Sequence, residues 1–288
     1  MEKQERIAIF LETVTICKQG FYAKNKSLVM IPTLGEVKSK FYNAQIRPKK
    51  LPNINTHIID VINKDCLYVA KDLIDNGLNP AVLNMASARM PCGGVLRGSG
   101  AQEENISRRT NLFQSLYKYH DIGKDFEISQ KERNIANGIS YPLDPNFGGI
   151  YSKNVVVFRE GEDKNYELLN QPFKLDIISV AAINRPDYDD NFKFSQETED
   201  IEKDKIRTIF NIALDNGNDS LVLGAFGCGA FKTPPAEMAR CFHEVMNEEP
   251  YKDGFNAIIF AILDDHNAYR EHNPQGNFKP FKDEFSKQ

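Results

Sequence analysis

Two adjacent glutamates, Glu103 and Glu104, follow a loop of glycines and small residues in the stretch "MPCGGVLRGSGAQEENISRR", Met90 to Arg109. Glycine lets a backbone turn sharply and approach a ligand closely. A carboxyl group can give or take a proton as a bond breaks. Acidic residues in the first turn of a helix also complement its dipole, which is their plainest reading. That placement lowers their pKa values, so acid catalysis there requires burial or a ligand as an offset. Neighbouring helical side chains point about 100° apart. The two glutamates therefore cannot make the same contact, and one can hold a substrate hydroxyl while the other faces the reacting bond.

A second stretch, "LGAFGCGAF" from Leu223 to Phe231, carries three closely spaced glycines between a strand and a helix. Such a junction turns backbone N–H groups inward and forms a cradle for an anion such as phosphate. The order G-x-x-G-x-G is neither a Walker loop nor the dinucleotide fingerprint. Phe226 and Phe231 flank the cradle, where they can pack on a sugar or a base or simply fill the core. Both loops follow short apolar runs, and in open α/β sheets ligands bind at the carboxyl ends of strands. Together the loops can hold a diphosphate between them.

The elements that must position these loops are legible from periodicity. Ile7, Phe10, Leu11 and Val14 recur at helical spacing before Gly20. Short strands are predicted at Leu28–Ile31, Thr56–Val61, Ala81–Asn84, Asn154–Arg159, Leu175–Ala182, Ser220–Gly224 and Phe255–Leu263. Asp65 is a candidate N-cap for a helix closed by Gly77. Further helices are predicted over about 103–117, 197–216 and 234–246. Lys38 to Pro52 reads as a basic, irregular loop, 121–140 as a surface insertion, and the tail from Asp264 as polar. Alternating buried strands and amphipathic helices indicate an α/β layered fold. No repeat or linker divides the chain, so 1–288 is read as one domain, with 1–55 an accessory helix and loops.

The chain has 288 residues, 41% hydrophobic and 26% charged, the proportions of a globular protein. A net charge of −4 argues against indiscriminate nucleic-acid binding. No sequence-specific nucleic-acid contact is expected. No apolar run reaches membrane-span length. Five scattered cysteines, with no C-x-x-C pair and no signal peptide, point to free thiols in the cytoplasm. The five histidines show no triad or zinc spacing, so neither metal nor cofactor is expected. Arg108 and Arg109 read as a solvated pair on a helix face, with phosphate contact the sharper alternative.

The run Gly93-Gly94, seven residues, then Gln102-Glu103-Glu104 resembles the signature of poly(ADP-ribose) glycohydrolases, in particular the microbial type. "YPLDPNFGGIYSKNVVVFR" and "ISVAAINRP" resemble further segments of that family, and "LGAFGCGAFKTPP" resembles the diphosphate loop shared with macrodomains. The resemblance implies a three-layer α/β/α, macrodomain-like fold with a mixed central sheet and an extra N-terminal helical region. It implies hydrolysis of the ribose–ribose O-glycosidic bond of poly(ADP-ribose), with ADP-ribose or ADP-ribosylated macromolecules as partners and no metal. Glu104 matches the family's catalytic acid–base, and Glu103 would hold ribose hydroxyls. Asn84, Gly93, Gly94, Val95, Gln102, Gly227, Cys228, Gly229, Ala230 and Phe231 are the implied substrate-binding set. Within it, Gly93-Gly94-Val95 would wrap the diphosphate and ribose, and Phe231 would pack on the terminal ribose. One departure stands out: the family usually has three glycines, and the first is Cys92 here. If that position has positive φ, cysteine costs energy there. Cys92 and Cys228 are expected to approach each other across the cleft, and many N–H donors around Cys228 would lower its pKa. Two rival readings remain open on the sequence: a hydrolase for mono-ADP-ribose on protein, nucleic acid or metabolite, and a non-catalytic ADP-ribose reader.

Overall fold

A computed structural model of the chain describes residues 1–32, 37–47, 58–129, 132–133 and 139–286. A seven-stranded mixed sheet runs through it in the order β3-β6-β7-β5-β8-β9-β4. The strands are β3 (Lys38–Tyr42), β4 (Ile58–Ile62), β5 (Pro80–Met85), β6 (Gly149–Arg159), β7 (Leu168–Val180), β8 (Ser220–Leu223) and β9 (Ala257–Ala261). β7, β5, β8, β9 and β4 run parallel, while β3 and β6 complete one edge antiparallel. The parallel strands read as nearly unbroken apolar runs because helices cover both faces. One face carries α1 (Lys3–Gln19), α2 (Cys66–Asp75), α3 (Gln102–Arg109) and α4 (Leu112–Leu116). The other carries α5 (Gln196–Asn216), α6 (Pro235–Met246) and α7 (Phe278–Phe285), packed through Phe210, Phe242, Phe260 and Phe281.

Several sequence expectations change in detail. Lys38–Tyr42 is an edge strand rather than irregular chain. Residues 48–57, including Thr56 and His57, lie outside the described residues. The predicted strand at Leu28–Ile31 is half of a hairpin, β1 (Phe21–Lys24) with β2 (Ser27–Met30), closed by Asn25 and Lys26 at φ of 51° and 64°. The helix expected over 103–117 breaks after Arg109. Thr110 is extended and bridges Val157, and Asn111 exchanges hydrogen bonds with Val156, so β6 captures the backbone there. The polar tail ends in α7, which closes the core with Phe281 and Phe285. Within the segment read as a surface insertion, Phe126 and Ile128 are buried in the α1–α4 core.

Asp65 joins the elements nearest the site. Its Oδ1 accepts the Leu67 and Tyr68 N–H groups at 3.0 and 3.3 Å, capping α2. Its Oδ2 accepts Nη1 of the buried Arg109 at 2.7 Å, tying α2 to α3. Asp65→Ala removes a cap and strands a buried guanidinium, so urea unfolding should show a loss of about 3 kcal/mol or more. Asp65→Asn keeps the cap and should lose less. Equal stability of all three proteins would refute this role.

Candidate active site

A cleft of about 460 Å³ opens at the carboxyl ends of the parallel strands. Lys64–Cys66 after β4, Met85 at the end of β5 and Ser87 beyond it, Ala182 after β7, Ala225–Gly227 and Gly229–Phe231 after β8 and Leu263 after β9 all reach it. Both glycine loops and both glutamates line it.

Glu103 and Glu104 lie in the first turn of α3, 4% and 7% exposed. Glu104 Oε1 accepts the Gly94 N–H at 2.7 Å, and Glu103 Oε2 accepts the Ser87 N–H at 2.8 Å. The other oxygen of each, Glu104 Oε2 and Glu103 Oε1, is buried without a protein partner among the described residues. Buried polar atoms rarely go unpaired, so these two oxygens, on residues that line the cleft, are candidate contacts for a ligand. Burial, and then the neighbouring Glu104 charge, holds the Glu103 carboxyl well above the usual carboxylate range. At Glu103, burial thus outweighs the lowering expected from the helix dipole.

The first loop is shaped by these carboxylates. Gly93 has φ of 56°, and a Cβ there would lie 2.5 Å from Glu104 Oε1 and 2.8 Å from Glu103 Oε2. A Cβ on Gly94 would collide with the Ser99 hydroxyl. Cys92 itself sits at φ of 62°, so the cysteine does carry the strain that glycine would avoid. Its thiol is buried, beside Ser107 and Tyr117, and burial pushes it up. The loop's N–H groups are spent: Gly93 donates to Met90 O, Gly94 to Glu104 and Val95 to Cys92 O. Its wrapping of a diphosphate would therefore be by close approach, not by donation.

Donors remain in the second loop. The N–H groups of Gly227, Gly229, Ala230 and Phe231 have no acceptor among the described residues. Gly227 takes φ of 75°, where a Cβ would meet Thr233 and Ala182. His272 Nε2 and Asn273 Nδ2 both reach the Cys228 carbonyl, at 2.9 and 3.2 Å, and hold the loop from behind. Nothing in the histidine spacing signalled that contact.

The remaining implied residues sort by depth. Gln102 lines the cleft, but its amide spans β5, accepting from Met85 N at 2.9 Å and donating to Leu83 O at 2.7 Å. It acts as a strut that fixes the start of α3. Asn84 is fully buried against Glu103 and bonded to Ser179 Oγ, away from the cleft wall. Val95 and Cys228 are also buried behind the wall. Cys92 and Cys228 belong to the cores on opposite faces of the sheet and do not pair across the cleft. Burial pushes the Cys228 thiol well up, against the lowering expected from the loop's N–H groups. Arg108 and Arg109 are buried, not solvated: Arg108 bonds Tyr166 and Ser99 O, and Arg109 bonds Asp65. Neither lines the cleft. Asp265, Asn267 and Asn277, from the polar tail, do line it.

A family model, "Microbial-type PARG, catalytic domain", matches residues 11–160, just over half of the chain. The chain belongs to that family. It is a hydrolase of the poly(ADP-ribose) glycohydrolase type. The poly(ADP-ribose) glycohydrolase of Thermomonospora curvata is similar over 98% of this chain and 100% of its own, at 26% identity and a TM-score of 0.75. The same enzyme bound to the inhibitor ADP-HPD matches at 28% identity and 0.71, covering 96% and 98%. The Deinococcus radiodurans glycohydrolase in complex with ADP-ribose matches at 25% identity and 0.60, covering 82% and 87%. No curated protein sequence matches the chain. Among the described residues no helix is long and apolar enough to cross a membrane.

Two outcomes follow from this geometry. Gly93→Ala should displace Glu104 and lower turnover about 100-fold, with the fold kept, because small misplacements of reacting groups are that costly. Unchanged turnover would contradict the contact. Behind the second loop, Glu202 of α5 is buried, and its Oε1 accepts Ile183 N–H at 2.9 Å. Burial raises its carboxyl to about 7. The folded protein then binds a proton that the unfolded chain releases at lower pH, so stability falls as pH rises from about 4.5 to about 7. Glu202→Gln should remove up to roughly 3 kcal/mol of that decline in unfolding measured across this range. A variant with the native slope would sink the assignment.

Proposed function

We propose that this cleft hydrolyses the ribose–ribose O-glycosidic bond of poly(ADP-ribose) and releases ADP-ribose, with Glu104 as the single acid–base. The observation that carries this reading is the carboxylate pair, each anchored through one oxygen by a loop N–H and unpartnered at the other. A protein that only binds ADP-ribose has no use for two buried carboxyls in one turn. The complexes of the relatives with ADP-ribose and ADP-HPD support a ligand of this chemistry.

The terminal ADP-ribose lies with its diphosphate on the N–H groups of Gly227, Gly229 and Ala230. Phe231 packs on the terminal ribose, and Gly93 and Gly94 allow it to approach the carboxyls. Glu103, kept protonated by burial, bonds a ribose hydroxyl and adds no second negative charge beside Glu104. Protonated Glu104 gives its proton to the leaving ribose oxygen as the anomeric C–O bond breaks and the electron pair leaves with that oxygen. The anomeric centre passes through an oxocarbenium-like state. Glu104, now a carboxylate, takes a proton from the attacking water, which closes the cycle with its proton restored.

Glu104→Gln keeps the hydrogen bond to Gly94 possible and removes the proton. Release of ADP-ribose from purified polymer should fall about 10³-fold. Calorimetric affinity for ADP-ribose should stay close to native. Native protein that binds ADP-ribose but leaves the polymer intact would contradict the reading, and mono-ADP-ribosylated protein and DNA would be the next substrates.

A further inference from the structure

We propose that the outer flank of the first loop, Arg97 with Lys3 beside it, is a subsite for the diphosphate of the ADP-ribose unit on the leaving side of the scissile bond. This rests on the hydrolase reading above and makes the polymer, rather than a mono-ADP-ribosylated side chain, the preferred substrate.

Among the described residues lining the cleft, two carry a positive charge, Lys64 and Arg97. Lys64 is paired with Asp72. Arg97 is exposed, and its guanidinium has no partner among the described residues. Its backbone is held firmly. It ends the short 3-10 turn Val95–Arg97, donates its N–H to Gly94 O at 2.8 Å, and is followed by Gly98 at φ of 71°. A Cβ on Gly98 would lie 2.8 Å from both Cα and Cβ of Lys3, so α1 presses on the chain one residue from Arg97. Lys3 is also exposed, and its ammonium has no partner among the described residues. Of the acids beside it, Glu2 is the exposed N-cap of α1 and Glu5 is turned back onto the Glu2 N–H at 2.8 Å. Two cations without an ion-pair partner among the described residues therefore rise from neighbouring backbone, Lys3 against Gly98 and Arg97 one residue before it.

Their side of the cleft is fixed by what packs on each loop. The first loop is backed by α1, while the second is packed by Thr233, Ala182 and Asn267. The glutamate pair lies between them. With the terminal diphosphate on the second loop, the leaving ribose oxygen exits past Glu104 toward the first loop and its flank. The next group of high charge along the polymer is a diphosphate. An arginine fork matches phosphate oxygens well. Free ADP-ribose has nothing at that place, so these cations contribute only when the polymer continues.

The test uses the full chain carrying Glu104→Gln, with two probes, ADP-ribose and a ribose-linked dimer of ADP-ribose, in calorimetry at low and high salt. The dimer should bind about tenfold tighter than ADP-ribose at low salt, with the gain shrinking as salt rises. Arg97→Ala with Lys3→Ala should remove most of that gain and leave ADP-ribose affinity within about twofold. Arg97→Lys should retain part of it. Equal weakening of both probes would assign Arg97 to the terminal unit and overturn the proposal. So would a dimer no tighter than the monomer. Turnover of polymer by the native protein reports separately: cleavage without a dimer gain sinks the subsite alone, and no cleavage sinks the hydrolase reading.

Discussion

The hydrogen bond from Gly94 N–H to Glu104 Oε1 is the constraint on which the rest of the site depends. It orients one buried carboxyl and leaves its second oxygen without a partner among the described residues. It forms only because Gly93, at positive φ, lets the loop fold down onto both glutamates. Everything nearby braces that contact. Gln102 ties the start of α3 to β5, Arg108 ties α3 to the loop at Ser99, and α1 closes over Gly98 and Gly100. The strain at Cys92 is tolerated because its side chain is fully buried among packed residues.

Electrostatics divide the cleft into two halves. The half around α3 holds two buried carboxyls, and burial, then the neighbouring Glu104 charge, holds the Glu103 carboxyl well above the usual carboxylate range. The second loop carries no side-chain cation from Gly224 to Phe231, and its N–H groups at Gly227, Gly229, Ala230 and Phe231 have no acceptor among the described residues. Neutral donors fixed by the fold bind phosphate without drawing a counter-charge toward the glutamates. Of the described residues lining the cleft, Lys64 and Arg97 carry formal positive charge, while Arg6, paired with Glu162, lies behind Gly100.

The central strands and both glycine loops were legible in the sequence because their signals are local: apolar runs, glycine spacing and a capping Asp65. What escaped depends on contacts distant in sequence. The β1–β2 hairpin turns through Asn25-Lys26, which lacks the glycine that usually marks such a turn. The break at Thr110 is imposed by β6, not by any helix-stopping residue. Arg108 and Arg109 looked solvated because their partners, Tyr166 and Asp65, lie 58 and 44 residues away. The tail's Asp265, Asn267 and Asn277 reach the cleft only because α7 docks on the far face of the sheet.

The most direct measurement is a crystal structure of the full chain with ADP-ribose bound. The account requires the anomeric carbon and its oxygen beside the unpartnered Oε2 of Glu104, with the diphosphate on the N–H groups of Gly227 to Ala230. A ligand bound in the reverse sense, or outside the cleft, would contradict it.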